Sequence, residues 1–345
     1  MNWAIAGLVY AGVYAALMTG LSGHDGARLL AGNIALLLPP LAPLYVLITR
    51  RRAWRGRQAV FWGAIAAGAA VWWVGQLFWS VDELLRSVPL PWLQWHMVLK
   101  LGGSALPVIA LVAWPHRPAE AESTITVTLD ITVLAFLTSF LYWCLIVAPG
   151  INSEQSLLAL RTLAVAALIV RLAGAGALLW AAKAAGKNAW ADVYRRLAFG
   201  MVLAAVALVA LLVLAARGTY QTGSPTDISW MLPFWFTAWA AATSPASPTE
   251  ARVSPTRPIN QASPMLLFVA LLSVPVVGYG LRYLMPLGEP VDTLRDIATA
   301  CTLVGGIALL LVRLRVEQRV AEQANQRLRL LATACEQAGE LIIIV

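Results

Sequence analysis

Few side chains in this sequence can do chemistry, and those that can interrupt long apolar runs. Asp82 and Glu83 close one run, with Gln76 about two helical turns before them. His96 and Lys100 interrupt the next; four residues apart, they share one helix face. Arg161, Asp227 and Arg282 fall near the same expected edge of the membrane. A charge at mid-membrane costs about 2.5–3.5 kcal/mol on insertion scales, so each one needs a partner or a path to water. Lys100 opposite Glu83 is expected to form a partly buried ion pair, and His96 can titrate between about pH 5 and 8. Gln76, Asp82, Glu83, His96, Lys100, Arg161, Asp227 and Arg282 are therefore the candidate ligand or proton site. The competing account is snorkelling, in which Lys100 and Arg282 reach toward lipid headgroups. Deeper in the membrane, Asp130 and Arg171 lie in consecutive runs and are predicted to form an intramembrane ion pair of mainly structural role.

Other chemistry is missing from the residue pattern. Cys144, Cys301 and Cys335 are far apart and show no metal or redox spacing. HExxH, paired catalytic Asp and GxSxG settings are absent, so no catalytic residue, metal or cofactor is expected in these residues.

The elements that position these side chains follow from composition. Of 345 residues, 60% are hydrophobic and 12% charged, against about 25% charged in a soluble globular protein. An all-α, polytopic membrane helix bundle is expected. Ten runs reach the ~20 residues a membrane helix needs: roughly 3–21, 29–49, 59–80, 93–114, 125–148, 156–182, 197–217, 229–244, 264–284 and 296–314. With the N-terminus inside, the inner loops and the tail hold most of the 25 Lys and Arg, while the outer loops hold Arg28, Arg86 and Arg295. That asymmetry predicts cytoplasmic termini. The net charge of +8 thus reads as an orientation signal, not a nucleic-acid surface. Tryptophans agree: Trp92, Trp95, Trp143 and Trp230 fall near outer ends, and Trp54, Trp114, Trp180 and Trp190 near inner ones. Prolines at Pro39, Pro40, Pro43, Pro107, Pro233 and Pro275 allow kinks.

Residues 245–263 are rich in Pro and Ser and read as a linker between the eighth and ninth spans. After the tenth span, apolar residues recur at Val312, Val316, Val320, Ala324, Leu328 and Leu331. One helical face is apolar, and the last span is expected to continue as a rod whose stripe needs a partner, such as a twin helix.

The closing stretch "LRLLATACEQAGELIIIV" resembles the opening of a PAS domain in bacterial signalling proteins, where an "EQA" segment precedes a first strand. The membrane part is similar to multi-span sensor regions found ahead of PAS, histidine kinase or diguanylate cyclase/phosphodiesterase modules. Three segments carry that likeness: "WWVGQLFWSVDELLRSVPLPW", "LDITVLAFLTSFLYWCLIVAP" and "GTYQTGSPTDISWMLPFWFTAWAAATSP". The resemblance implies a sensor domain over 1–314, a signalling helix over 315–333 and a PAS domain begun at 334–345 and cut short. It also implies a homodimer through the signalling helix in a bacterial inner membrane, receiving an unidentified small-molecule or physical signal. The alternative is a transporter or channel for a small solute, although matching broken spans in repeated halves are not evident.

Overall fold

Apolar runs of this length become helices because a backbone without water must satisfy its own polar groups. The computed structural model describes residues 3–85, 95–113, 115, 124–144, 148, 156–216, 220–245, 264–284 and 286–343. Within these, some side chains, including those of 156–166 and 264–270, are outside the described residues. The helices are α1 (Trp3–Gly20), α2 (Asp25–Leu37), α3 (Leu41–Arg50), α4 (Arg57–Leu85), α5 (Trp95–Ala110), α6 (Thr124–Tyr142), α7 (Ser156–Ala185), α8 (Trp190–Ala216), α9 (Ile228–Thr243), α10 (Pro264–Leu284) and α11 (Val291–Ile343). No strand occurs among the described residues.

Each expected span falls on a helix, and the second is broken at Pro39–Pro40 into α2 and α3. Among the described residues, six segments are long and apolar enough to cross a membrane: Trp3–Gly20, Asp25–Ala53, Arg57–Leu85, Ala167–Ala185, Trp190–Leu211 and Val291–Gln337. The expectation of ten crossings is thus met by length and composition for six. The other four expected spans correspond to α5, α6, α9 and α10, of which α5 has 16 residues before its 3-10 turn and α9 has 16. The expected linker beyond Pro245 and the expected outer loop over 86–94 lie outside the described residues.

Two groups of helices result. In the larger, α9 packs against α1, α3 and α8, while α4 packs against α2, α3 and α5, and α7 against α5 and α8. Close helix crossing depends on missing side chains: a Cβ on Gly68 would lie 2.6 Å from the Gly103 carbonyl oxygen, so α4 and α5 meet backbone to backbone. In the smaller, α6, α10 and α11 share a core of Val133, Leu137, Phe140, Leu271, Val274 and Leu310. Helix α6 also touches α4 and α5, which joins the two groups.

Two of the tryptophans expected near inner ends turn their rings inward. Trp54 and Trp190 do not face lipid; they are buried with Phe61, Trp62 and Tyr194 in an aromatic cluster, Trp54 stacking on Trp62 at 5.3 Å. Packing against other rings adds about 0.5–1.5 kcal/mol per pair beyond area burial. Trp180 does stay exposed.

Helix α11 is 53 residues long. Its buried face runs Asp292, Arg295, Thr299, Thr302, Gly306, Leu310 and Arg313, steps of three and four as a helix requires. Past Arg313 no described residue is buried. The expected boundaries at 314/315 and 333/334 therefore fall inside one unbroken helix. The expected strand at Leu341–Val345 is corrected: Leu341, Ile342 and Ile343 are helical, and 344–345 lie outside the described residues. A short apolar run with no neighbouring strand satisfies its backbone best by extending the helix it follows.

Candidate functional site

The site begins on the last turns of α4, where Trp72, Gln76, Trp79 and Glu83 line one face. Gly75 lets α5 approach this face: a Cβ there would meet the His96 carbonyl oxygen at 2.8 Å and Lys100 Cγ at 3.1 Å. The Lys100 ammonium consequently sits 4.2 Å from the centre of the Trp79 ring and 5.5 Å from that of Trp72. An ammonium between two indole faces gains about 0.5–2 kcal/mol per ring. The His96 ring meets Trp79 edge to face at 5.1 Å, and its Nδ1 lies 3.4 Å from Asp82 Oδ2. Glu83 Oε2 accepts hydrogen bonds from Asn33 Nδ2 at 2.8 Å and from Trp79 Nε1 at 3.1 Å. The expected direct Lys100–Glu83 pair is thus corrected. Glu83 is occupied by Asn33 and the Trp79 indole, and Lys100 by ring faces, although the two charges remain in electrostatic range. Gln76 is buried beneath them, and its Nε2 has no protein partner among the described residues.

The other half is built around Asp227, which is fully buried in the turn before α9. Its Oδ2 accepts from the Tyr14 hydroxyl at 2.9 Å and the Gly223 N–H at 2.8 Å, and its Oδ1 from the Tyr220 hydroxyl at 3.1 Å. Gly223 adopts φ +91°, a conformation that favours glycine, and α2 presses on it: a Cβ on Gly32 would lie 2.6 Å from Gly223 Cα. Arg28 Nε then donates to the Gly223 carbonyl at 2.9 Å. Burial pushes the Asp227 carboxyl up to about 6, with Glu83 adding to the rise, while the three donors hold it down. Burial and the neighbouring Asp227 push the Tyr220 hydroxyl well above its usual range. Lys100 feels both Glu83 and Asp227, so the two halves form one electrostatic unit.

Of the eight residues expected from sequence, Gln76, Asp82, Glu83, His96, Lys100 and Asp227 are thus brought together. Arg282 is not part of this unit. It pairs with Asp296 and, at 3.5 Å, with Glu289, because the start of α11 supplies nearer carboxylates. The side chain of Arg161 lies outside the described residues.

The expected Asp130–Arg171 pair is corrected as well. Helix α6 packs on α10 and α11, and Asp130 Oδ1 accepts from Arg313 Nε there. Arg313 also reaches Glu317 Oε1 at 2.8 Å, within α11. Arg171 faces α5 and α9 instead: a guanidinium nitrogen lies 3.4 Å from Ser104 Oγ, another 3.3 Å from the Ala167 carbonyl, and its centre 5.9 Å from that of the Trp230 ring. Sequence reasoning passed over Tyr14, Asn33 and Arg313. Asn33 was visible as a polar residue inside an apolar run; Tyr14 carries no local signal, and Arg313 reads as one more inner-face cation.

The arrangement can hold a proton or a small polar molecule among an imidazole, an ammonium and buried carboxylates. No group of three or more His, Cys, Asp or Glu side chains able to hold a metal ion occurs among the described residues. Compared with known proteins, the chain matches no family model, no curated protein and no solved structure.

Proposed function

We propose that this chain is a membrane-embedded sensory input module of a bacterial signalling protein. On this reading it lies in the inner membrane with both termini cytoplasmic. It passes its signal through α11 to PAS and output domains of the histidine kinase or cyclic-dinucleotide type. The observation that carries the reading is the continuity of α11, whose first half is buried in the bundle along one face and whose second half stands clear as the same helix. Such a helix transmits rotation or translation from the bundle to whatever follows it. Arg313 marks the crossover, tied to α6 through Asp130.

The Glu83–Lys100–Asp227 unit is the receiving site in this proposal. A proton or ligand arriving there shifts the bundle only if it binds two arrangements with different affinity. Val312, Val320, Leu328 and Leu331 remain exposed along the rod, which suits a second copy laid alongside. The test joins residues 1–343 to a cytoplasmic kinase reporter and inserts one to seven residues after Glu322. Output that rises and falls with helical phase supports transmission through α11; output indifferent to phase removes it.

A further inference from the structure

At the far end of α4 from Glu83, the fold buries polar atoms that the chain itself does not satisfy. Gln58 is 3% exposed, Trp62 1% and Trp190 0%. Gln58 Nε2 and Oε1 have no hydrogen-bond partner among the described residues, and neither do the Trp62 and Trp190 indole nitrogens. Buried N–H groups without an acceptor are rare in folded proteins, and each one needs an account. Gln58 and Trp62 stand one turn apart on the same face of α4, and the Trp62 ring lies 6.2 Å from the Trp190 ring. Phe61 packs edge to face on both, at 5.0 and 5.7 Å. The neighbouring indole differs: Trp54 Nε1 donates to Ser244 Oγ at 3.2 Å. The unpaired groups thus gather where α4 begins at Arg57 and α8 begins at Trp190.

We infer that this junction binds a small monovalent inorganic anion, with chloride as the type. Three features select that class. Donors outnumber acceptors, since an amide nitrogen and two indole nitrogens face a single amide oxygen. An anion accepts from all of these donors, whereas a water oxygen accepts from two. Next, the helices that start here are 29 and 27 residues long, and both direct the positive end of their dipoles at the junction. The Trp190 backbone N–H is already given to Asn188 Oδ1 at 3.1 Å, which leaves the side chains to hold the ion. Finally, the surrounding charge is positive. Every charged residue of 50–57 is an arginine, and of 183–196 only Asp192 is acidic, paired with Arg195 at 2.8 Å.

Neutral donors in a positive field suit a single spherical charge. A phosphate or carboxylate calls for a guanidinium fork, and that of Arg50 is committed to the Ala241 and Ser244 carbonyls. A bound anion joins the first turn of α4 to the first turn of α8, two helices of the larger group. It does so roughly 37 Å along α4 from Glu83, so the site is separate from the Glu83–Lys100–Asp227 unit.

The test is the melting temperature of the full chain in nanodiscs, with sodium chloride exchanged for sodium gluconate at constant ionic strength. Chloride and bromide are expected to raise it saturably, by about 2–4 °C at several times the half-saturating concentration, and gluconate and sulfate to leave it unchanged. Trp62→Phe keeps a ring and removes an N–H; Gln58→Leu keeps the bulk and removes the amide. Each is expected to raise the half-saturating chloride concentration at least tenfold. Trp54→Phe removes an indole N–H that is already bonded and is expected to keep the chloride response. The inference is overturned by no chloride effect on the unaltered chain, by an equal effect of gluconate, by an unchanged response in folded Trp62→Phe or Gln58→Leu, or by equal loss in Trp54→Phe. Where the variants fail to fold, crystals of the unaltered protein grown in bromide decide. An anomalous bromide peak is expected beside the Trp62 and Trp190 indole nitrogens, and no peak there overturns the inference. The phase-insertion reporter bears on the sensory reading alone, so the two failures are distinguishable.

Discussion

Asp227 shows how one buried carboxyl can tie the turn before α9 to α1 and make that tie depend on pH. Its proton is held more tightly in the folded protein than in an unfolded chain, where a carboxyl titrates near 3.8. The resulting stabilisation is complete below that value and is lost as pH rises through about 6. Its full size is on the order of 3 kcal/mol. The detergent-solubilised protein is accordingly expected to melt higher at pH 5 than at pH 7.5, and Asp227→Asn to narrow that gap. Equal pH sensitivity in the two proteins would take Asp227 out of this role. Arg313 poses a different case, since its guanidinium is fully buried and tied to Asp130. Arg313→Met leaves the Asp130 carboxylate without its guanidinium and is expected to destabilise by about 3–5 kcal/mol, with Asp130→Leu in the same chain restoring much of the loss. Urea or thermal unfolding of the single and double variants measures this. At this scale the sequence shows which side chains are costly but not which partner each one takes. Asp130 was visible as a costly acid, yet the apolar and hydroxyl residues of α6 favour no one face, so nothing in its pattern points it at α11 and away from α7.

Among the elements, helix positions were legible because long apolar runs interrupted by Gly, Pro and charge permit little else in lipid. Helix pairings were not, because the groups that set them are absences. Gly68, Gly75 and Gly103 act by lacking a Cβ where another backbone arrives. Gly103→Ala would place its Cβ 2.5 Å from the Gly68 carbonyl oxygen and 2.9 Å from the Trp72 nitrogen. Backbone cannot yield as a side-chain tip does, so this one methyl is expected to cost about 1–3 kcal/mol and to separate α4 from α5. The same shift moves Lys100 relative to Trp79, so tryptophan fluorescence in the variant is a second readout. The end of α11 differs from the expected strand over its described residues for a related reason. Leu341–Ile343 have the composition of a strand, but composition yields to the hydrogen-bonding partners on hand, and the preceding helix supplies them.

For the whole molecule, orientation remains an expectation drawn from loop cations, and Cys335 gives a direct way to check it. It is exposed on the far half of α11, whereas Cys144 is buried. With Cys301 replaced by Ser, an impermeant maleimide is expected to label Cys335 only after spheroplasts are opened; labelling of intact cells would reverse the orientation. The two-group construction also matters at this scale. α11 is gripped by α6 and α10 along its buried face, and that grip ends at Arg313. Beyond this fulcrum the helix continues to Ile343, on the order of 45 Å at 1.5 Å per residue. A tilt of about 5° at Arg313 therefore swings the far tip by roughly 4 Å, close to the width of a side chain. The exposed half of α11 is a lever arm, and displacements too small to rearrange the bundle become, thirty residues on, as large as a side chain; in the proposed sensor that is enough to change which residues a second copy laid alongside would touch.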